Sequence, residues 1–265
     1  MAFEDVPAGK EEGVLRIVTY NLCGGGLDRR GLGAVDTMRW EQQIILLLLL
    51  RPDVVCLQEA THYDRDNFTM AEATGQALGM EWHLTPSNSR GSLMTLVNPR
   101  RLEVGDFVPV AAEGEPRHTL ARADLTDRVT GWKLTVFNAH LDPLSSADRA
   151  REIALPAEYG TRNDVLLVGN LGSEEPDGTY AGSERRALDA LIHAGFRDPV
   201  RHLGVPWART AGYWSPDEQH DLRSDYVLLG RGAGPRLKDF RVLDMPETRE
   251  VSNHLPCYVD VASAV

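Results

Sequence analysis

The sequence predicts an α+β fold in which two β-sheets pack face to face and helices cover the outer surfaces. Two observations support this prediction: short apolar runs of strand length, and segments with helical signals between them. Each run has four to six residues and consists mainly of residues that favour the interior of a sheet. The runs are residues 15–20, 54–57, 93–97, 133–137, 165–168, 226–229 and 257–261.

The predicted helices are recognised by their ends. Pro52 ends the first, because the residue before a proline avoids the helical region. Ser145 is a typical N-cap, although Pro156 falls inside the segment that follows it, and glycines end two other helices. No repeat or linker divides the chain, so we expect a flexible segment at 1–13 and one domain at 14–265. The predicted helices are residues 37–50, 71–79, 145–159 and 183–195.

Composition and charge exclude several classes of protein. The chain has 265 residues, of which 42% are hydrophobic and 25% are charged, and this composition excludes collagenous and low-complexity classes. A net charge of −11 repels polyanions, so a nucleic-acid partner is not expected. The arginines at 29–30, 100–101, 149 and 151 are interpreted as solvated charge. The three cysteines form no CxxC pair and indicate neither a disulfide framework nor a structural zinc site.

We expect a cytoplasmic protein with no membrane partner. Residues 1–13 are polar and acidic and lack the apolar core of a signal peptide. The longest apolar run, residues 44–50, has seven residues, whereas a membrane-spanning helix needs about 20. Lysine accounts for three of the 28 basic residues, a ratio that favours a GC-rich bacterial genome. The sequence does not indicate an oligomeric state.

Polar residues stand at the ends of the apolar runs, most of them after a run and Asp225 before one. Such residues, at the ends of buried strands in a two-layer fold, can converge on one rim and form a ligand site. Taken singly, each has a structural explanation, such as a helix cap or a turn. The set comprises Asn21, Glu59, His140, Asp142, Asn170, Asp225, Asn253 and His254.

The order of these motifs resembles the endonuclease/exonuclease/phosphatase superfamily, which includes deoxyribonuclease I. The resemblance covers about 90% of the chain and implies a four-layer sandwich, with two mostly antiparallel sheets flanked by helices. The matching motifs are TYN (19–21), LQEA (57–60), NAHLD (138–142), VGNLGS (168–173), RSDYVLL (223–229) and SNHLP (252–256).

The resemblance implies a role for each matching position. Glu59 corresponds to the family's main metal-binding carboxylate, and Asn21 lies beside it, so Mg²⁺ is the expected cofactor. His254 and Asp225 correspond to a His–Asp pair in which the carboxylate orients the imidazole. His140 corresponds to a second histidine that contacts the phosphate or protonates the leaving group. The implied reaction is attack of water on phosphorus.

Three positions differ from the family pattern. Asn170 stands where the family has the Asp that activates the attacking water, and a neutral amide is a poor general base. Asn253 replaces a second Asp, so the metal site loses another negative charge. Gly172 replaces an Asn that donates to the phosphate. We therefore expect Mg²⁺ to bind weakly and no other cofactor to bind. A designed inactivation usually changes one residue, so three differences favour natural divergence.

Three hypotheses remain open. The sequence favours a slow Mg²⁺-dependent phosphoester hydrolase that acts on a small phosphorylated metabolite. The alternatives are a metal-independent enzyme of secondary metabolism that uses His140, Asp225 and His254 as an acid–base set, and a non-catalytic binding protein on the same fold. The candidate catalytic residues are His140, Asp225, His254 and Asn170. Residues expected to contact the substrate are Asn21, Asp142, Asn253 and Trp214, of which Trp214 lies in the loop before the RSDY motif.

Overall fold

A computed structural model describes residues 10–30, 34–87, 91–111, 118–142, 145–161, 164–174, 184–214 and 222–263. The strands are β1 (Val14–Asn21), β2 (Asp28–Arg30), β3 (Ala34–Asp36), β4 (Val54–Ala60), β5 (Glu81–Thr85), β6 (Ser92–Val97), β7 (Leu102–Ala111), β8 (His118–Asp127), β9 (Lys133–His140), β10 (Val165–Glu174), β11 (Arg223–Leu229), β12 (Leu237–Val242) and β13 (Cys257–Ala262). The helices are α1 (Met38–Leu50), α2 (Thr69–Leu78), α3 (Ser146–Glu152), α4 (Ala154–Gly160), α5 (Glu184–His193), α6 (Pro199–Leu203) and α7 (Pro246–Val251).

Two mixed sheets form the centre of the fold. One has six strands in the order β12-β13-β1-β4-β6-β5, and the other has five in the order β11-β10-β9-β8-β7. Each sheet contains one parallel pair, β1 with β4 and β9 with β10, and its other neighbours run antiparallel. Helices α1, α2 and α7 pack on the six-stranded sheet, and α3, α4 and α5 on the five-stranded sheet. The predicted four-layer sandwich is therefore confirmed.

The main apolar core lies between the two sheets. It combines alternate residues of strands from both sheets, such as Ile17 and Cys56 from one and Val136, Val168 and Val227 from the other. Because successive side chains of a strand point to opposite faces, the intervening residues face the helices. They form one outer cluster on each sheet. This alternation fixes which polar residues at the strand ends face the other sheet.

All seven predicted strands are present, and the sequence missed strands near the sheet edges. β5, β7 and β12 are edge strands, β8 lies beside an edge, and β2 and β3 form a separate short hairpin. An edge strand is buried less completely, so its sequence lacks a continuous apolar run. The predicted strands are mostly central, and their runs are correspondingly apolar.

The helix predictions are confirmed with changed boundaries. The segment predicted at 145–159 is two helices, α3 and α4, which meet at Ile153, and Ser145 caps the first by accepting from the Asp148 N–H at 3.2 Å. Gly79 ends α2 in the left-handed conformation. Ser183, the predicted cap of α5, lies outside the described residues, as do residues 1–9 of the predicted N-terminal segment. Within the described chain, no helix has both the length and the hydropathy to cross a bilayer.

Candidate active site

The candidate site lies where the apolar core between the sheets gives way to polar residues. Asn21 follows Ile17 and Thr19 on the inner face of β1, and His140 follows Val136 and Asn138 on the inner face of β9. Asn170 and Asp225 likewise stand two residues from core valines on β10 and β11. By strand alternation, all four side chains belong to the faces that the two sheets turn toward each other.

A buried polar network joins the two sheets just below this site. The Asn138 Nδ2 amide donates to the Leu57 carbonyl at 3.2 Å and to the Met94 carbonyl at 3.1 Å. The Gln58 Nε2 amide donates to Asn138 Oδ1 at 2.9 Å, and the Thr19 hydroxyl donates to Gln58 Oε1 at 3.2 Å. Buried polar groups are costly unless they are hydrogen-bonded. This network therefore fixes how the two halves of the site face each other.

Three predicted residues form one row across the five-stranded sheet. Asn170 of β10 is the register partner of His140 on β9 and of Asp225 on β11. His140 is 8% exposed and Asp225 is fully buried. Residues in register on neighbouring strands share a face, so an imidazole, a carboxamide and a carboxylate lie side by side. An amide stands at the centre of the row, where the family pattern has a carboxylate.

His254 and Asp225 form the predicted pair. His254 Nδ1 lies 2.9 Å from Asp225 Oδ2, and the imidazole is 12% exposed. Burial alone would lower the pKa of His254, but the charge and hydrogen bond of Asp225, with a further contribution from Glu59, raise it above the usual value. The imidazole is thereby biased toward its charged form. Its Nε2 is the nitrogen that this hydrogen bond leaves for another partner.

The main chain around His254 is tied directly to the end of β1. The Ser252 hydroxyl donates to the Asn21 carbonyl at 2.8 Å and accepts from the His254 N–H at 3.1 Å. Gln43 of α1 adds a second tie, because its Nε2 amide donates to the carbonyls of Leu22 at 3.0 Å and Val251 at 2.8 Å. These bonds place His254, which follows the last helix, beside the first strand.

Glu59 enters the site through a β-bulge. Regular alternation after Leu57 would turn Glu59 toward the helices, but the β4–β6 register shifts between Leu57 and Ala60, and Glu59 has φ +51°. Its Oε1 accepts from Asn21 Nδ2 at 3.2 Å, and its Oε2 accepts from the Gly24 N–H at 3.2 Å. The bulge therefore brings the carboxylate to Asn21, as the resemblance implies.

The donor set fits a tightly held divalent cation poorly. Among the described residues, no group of three His, Cys, Asp or Glu side chains lies close enough together to hold a metal ion. Glu59 accepts two N–H hydrogen bonds, and Asn21 Oδ1 accepts a hydrogen bond from the Cys23 N–H at 2.9 Å. Mg²⁺ prefers carboxylate oxygens, whereas amides stand at positions 170 and 253. These residues do not form the acidic pocket that the cation requires.

Cys23 lies beside Glu59 but lacks the lowered thiol pKa of a reactive cysteine. Burial raises the pKa of the Cys23 thiol, and the nearby Glu59 carboxylate raises it further, against an opposing hydrogen bond from the Asn253 main chain. The nucleophilic form is the thiolate, so this environment disfavours it. Cys23 is therefore not a candidate nucleophile.

The remaining predicted substrate residues have structural contacts of their own. Asn253 Oδ1 accepts from the Trp214 N–H at 2.6 Å, and the Trp214 indole donates to the Arg249 carbonyl at 2.8 Å while its ring lies 5.1 Å from the Arg39 guanidinium. Asp142 Oδ1 accepts from the Ser145 N–H at 2.9 Å. Asn253 and Trp214 lie together next to His254, whereas Asp142 shapes the loop before α3. Their contacts with substrate remain predictions.

Two residues that support the site have no signal in the sequence. Ser252 lies within the SNHLP motif, and the resemblance implies no role for it. Its hydroxyl links β1 to the His254 main chain. Thr210 lies outside every motif, yet its hydroxyl accepts from the Ser224 and Asp225 N–H groups at 2.9 and 3.1 Å. Both are fully buried. Contacts over such sequence distances depend on tertiary structure.

Comparison with known proteins agrees with this architecture. The model of the Endonuclease/Exonuclease/phosphatase family matches residues 18–254. No curated protein sequence matches the chain significantly. Among solved structures, an AP endonuclease from Archaeoglobus fulgidus is 19% identical with a TM-score of 0.69, and the alignment covers 92% of this chain and 98% of that one. The Neisseria 3′ phosphatase NExo, bound to a product DNA hairpin, is 20% identical with a TM-score of 0.71, covering 93% and 99%.

The Leishmania major AP endonuclease LMAP is 17% identical with a TM-score of 0.69, and the alignment covers 99% of this chain and 91% of that one. At these identities the structural neighbours establish the fold alone. The family model spans most of the chain and includes every matched motif except the last two residues of SNHLP. The chain belongs to the endonuclease/exonuclease/phosphatase family.

Proposed function

We propose that this protein slowly hydrolyses phosphomonoesters of a small metabolite, with the His254–Asp225 pair as its central chemical group. The observation that carries the proposal is the 2.9 Å contact between His254 Nδ1 and the fully buried Asp225 carboxylate. This pair is intact, although the general base and a second acidic position have become amides. A charged imidazole beside the row formed by His140, Asn170 and Asp225 is suited to stabilise anionic phosphoryl oxygens.

The missing general base favours monoesters over diesters. Phosphoryl transfer from a monoester passes through a loose transition state, in which the attacking water needs little activation. A diester depends more on a strong nucleophile, which Asn170 cannot generate. In the proposed reaction, water adds to phosphorus, the ester P–O bond breaks, and the water proton passes to a phosphoryl oxygen. His254 Nε2 binds the phosphoryl oxygens, and His140 donates a proton to the leaving-group oxygen, which departs as the alcohol. Solvent then reprotonates His140.

A small substrate is supported by the charge of the protein and by its arginines. The net charge of −11 opposes a long polyanion. Arg101 pairs with Asp127 at 3.0 Å, Arg151 pairs with Asp148 at 3.0 Å, and Arg149 is 1% exposed. These three candidate arginines are therefore engaged elsewhere, and for the buried Arg149 the interpretation as solvated charge was wrong. A substrate that occupies the site around His254 alone fits this charge distribution.

A second candidate is removal of a terminal phosphate from DNA. The structural neighbour from Neisseria is described as a 3′ phosphatase bound to a DNA product, and that reaction is also a phosphomonoester hydrolysis. It would use the same His254–Asp225 pair, so the two candidates differ in the size and charge of the substrate. The same assay separates them.

The test compares turnover of p-nitrophenyl phosphate, bis(p-nitrophenyl) phosphate and a 3′-phosphorylated oligonucleotide, each in EDTA and in Mg²⁺. We expect the monoester to be hydrolysed best, with weak dependence on Mg²⁺. His254→Gln, which retains a hydrogen-bond donor, should lower turnover about 10²–10⁴-fold, whereas His202→Gln at an exposed histidine should not change it. Equal turnover by wild type and His254→Gln would refute the role of the pair, and hydrolysis of the oligonucleotide alone would establish the second candidate.

Calorimetry with Mg²⁺ provides an independent measurement on the wild-type protein. Because Glu59 is the only carboxylate at the predicted metal position among the described residues, we expect no binding in the micromolar range. Micromolar affinity would show that other ligands complete the site.

A further inference from the structure

Residues 210–214, called here the spacer segment, lie between the start of β11 and the loop that carries His254. On one side, the Thr210 and Ala211 N–H groups donate to the Leu222 carbonyl at 2.9 and 3.0 Å. On the other side, the Leu255 N–H donates to the Thr210 carbonyl at 2.8 Å, and Ala211 forms an antiparallel bridge with His254. The spacer segment therefore contacts both chain segments that carry the His–Asp pair.

Within this segment, the Thr210 side chain bonds directly to the strand that carries the Asp225 carboxylate. Its hydroxyl oxygen accepts from the Ser224 N–H at 2.9 Å and from the Asp225 N–H at 3.1 Å. Consecutive N–H groups of a regular strand point to opposite sides, so one oxygen reaches both only where the strand is irregular. The β10–β11 register also shifts at this place, because β10 advances four residues, from Asn170 to Glu174, while β11 moves two, from Asp225 to Arg223. Thr210 thus stabilises a local distortion at Asp225.

Among the described residues, His254 is the one side-chain hydrogen-bond partner of the Asp225 carboxylate. Its Oδ2 contacts His254 Nδ1, while its Oδ1 is buried without a hydrogen-bond partner among the described residues. A carboxylate with a second donor on Oδ1 would be held in position by its own side-chain bonds. Here, the backbone at 224–225 determines the distance to the imidazole. Thr210 holds the two N–H groups of this backbone, and the Tyr226 hydroxyl donates to the Arg223 carbonyl at 3.0 Å.

We infer that Thr210 is a positioning residue for the His254–Asp225 pair: its hydroxyl holds the distorted start of β11, so that the Asp225 carboxylate points at His254 Nδ1. The catalytic consequence rests on the proposed function, but the geometric consequence does not. Loss of the hydroxyl oxygen frees two buried N–H groups, and the backbone shifts to find other acceptors. Misplacement of a catalytic group by about 1 Å can lower the rate about 10²-fold.

The test is a graded series at this position. Thr210→Ser keeps the hydroxyl acceptor, Thr210→Cys replaces it with a weak acceptor, and Thr210→Val removes it at nearly constant volume. Thr74→Val is the matched control, because Thr74 is also fully buried and its hydroxyl makes two hydrogen bonds within and beside α2. If Thr210→Val does not fold, Thr210→Cys carries the comparison.

The first readout is the NMR signal of the His254 Nδ1 proton, which reports the hydrogen bond to Asp225 without any substrate. We expect the signal to be retained in Thr210→Ser and Thr74→Val, weakened in Thr210→Cys and lost in Thr210→Val. Turnover should fall about 10- to 100-fold in Thr210→Val, mainly in kcat. An unchanged Nδ1 proton in Thr210→Val, or in Thr210→Cys where Thr210→Val does not fold, would overturn the inference.

The two proposals fail in different ways. If the protein lacks phosphomonoesterase activity, the NMR series still decides whether Thr210 positions the pair. If Thr210→Val lowers the melting temperature but preserves the Nδ1 proton and kcat, Thr210 has a structural role alone and the positioning role is refuted. Restoration of the signal and of kcat by Thr210→Ser, but not by Thr210→Cys, identifies the hydroxyl oxygen as the acting group.

Discussion

Returning carboxylates to positions 170 and 253 tests whether loss of acidity weakened the metal site. The combined variant Asn170→Asp and Asn253→Asp changes two side chains without enlarging them. Asn253 Oδ1 accepts from the Trp214 N–H at 2.6 Å, and a carboxylate oxygen can accept the same bond. Asn170 lies in register with His140 and Asp225, so a carboxylate there enters the polar row.

The third departure from the family pattern, Gly172, is best left unchanged. Its φ of +132° is a conformation that side chains rarely adopt. A side chain in such a region costs on the order of 1–3 kcal/mol. Gly172→Asn would therefore add backbone strain to the effect of charge, and the double variant gives a cleaner measurement.

The magnitude follows from the spacing of neighbouring strands. A carboxylate at position 170 would stand about 5 Å from the Asp225 strand, and two unit charges at that distance repel by about 3 kcal/mol at an effective dielectric constant near 20. In EDTA, the free energy of unfolding of the double variant should fall by up to this amount. Attraction of the new carboxylates to the imidazoles of His140 and His254 reduces the loss. Bound Mg²⁺ reverses the loss, because a ligand at 100 times its Kd stabilises the folded state by about 2.7 kcal/mol.

The assay is urea unfolding in EDTA and in Mg²⁺, together with bis(p-nitrophenyl) phosphate turnover. We expect Mg²⁺ to raise the free energy of unfolding of the double variant by a few kcal/mol, the size expected when a ligand binds only the folded state. The wild type should be stabilised very little. Turnover of the diester in Mg²⁺ should rise about 10²–10⁴-fold. Asn67→Asp, which adds a negative charge at an exposed position, is the control and should show neither effect.

Two outcomes would refute this reasoning. Equal stabilisation of wild type and double variant by Mg²⁺ would show that acidity at these positions does not control cation binding. A stable double variant that responds to Mg²⁺ without gaining turnover would show that the site lost its hydrolytic geometry elsewhere.

Two further predictions concern the His–Asp pair and the strand beside it. Because Asp225 raises the folded-state pKa of His254 above the unfolded value of about 6.5, their pairing stabilises fully below that value and is lost as pH rises through the folded pKa. Asp225→Asn should therefore lower the His254 pKa in an NMR titration, and an unchanged titration would contradict the pairing. Gly169→Ala should destabilise the protein by at least about 3 kcal/mol, since its Cβ would lie 2.0 Å from the Ala139 carbonyl oxygen. Gly131 has open space around its Cβ but a left-handed φ of +73°, so Gly131→Ala should cost about 1–2 kcal/mol. Equal chemical denaturation midpoints for the two variants would contradict the steric argument.

The sequence determined the family, the central strands and most of the candidate site. Central strands are buried on both faces, so their apolar runs are continuous and their ends are marked by polar residues such as Asn21 and His140. Alternation then places these residues on the inner faces without any tertiary information. The amide at position 170 is likewise evident from the sequence, and with it the expectation of a weakened base.

Tertiary structure alone determined where the carboxylates of Glu59 and Asp225 point. Strict alternation would turn Glu59 away from Asn21, and the bulge in β4 reverses this because Glu59 takes a left-handed conformation. Asp225 depends on the distortion held by Thr210, which lies 15 positions earlier and has no motif. Bulges and such contacts arise from how separate segments pack, so a local pattern of residue types does not reveal them.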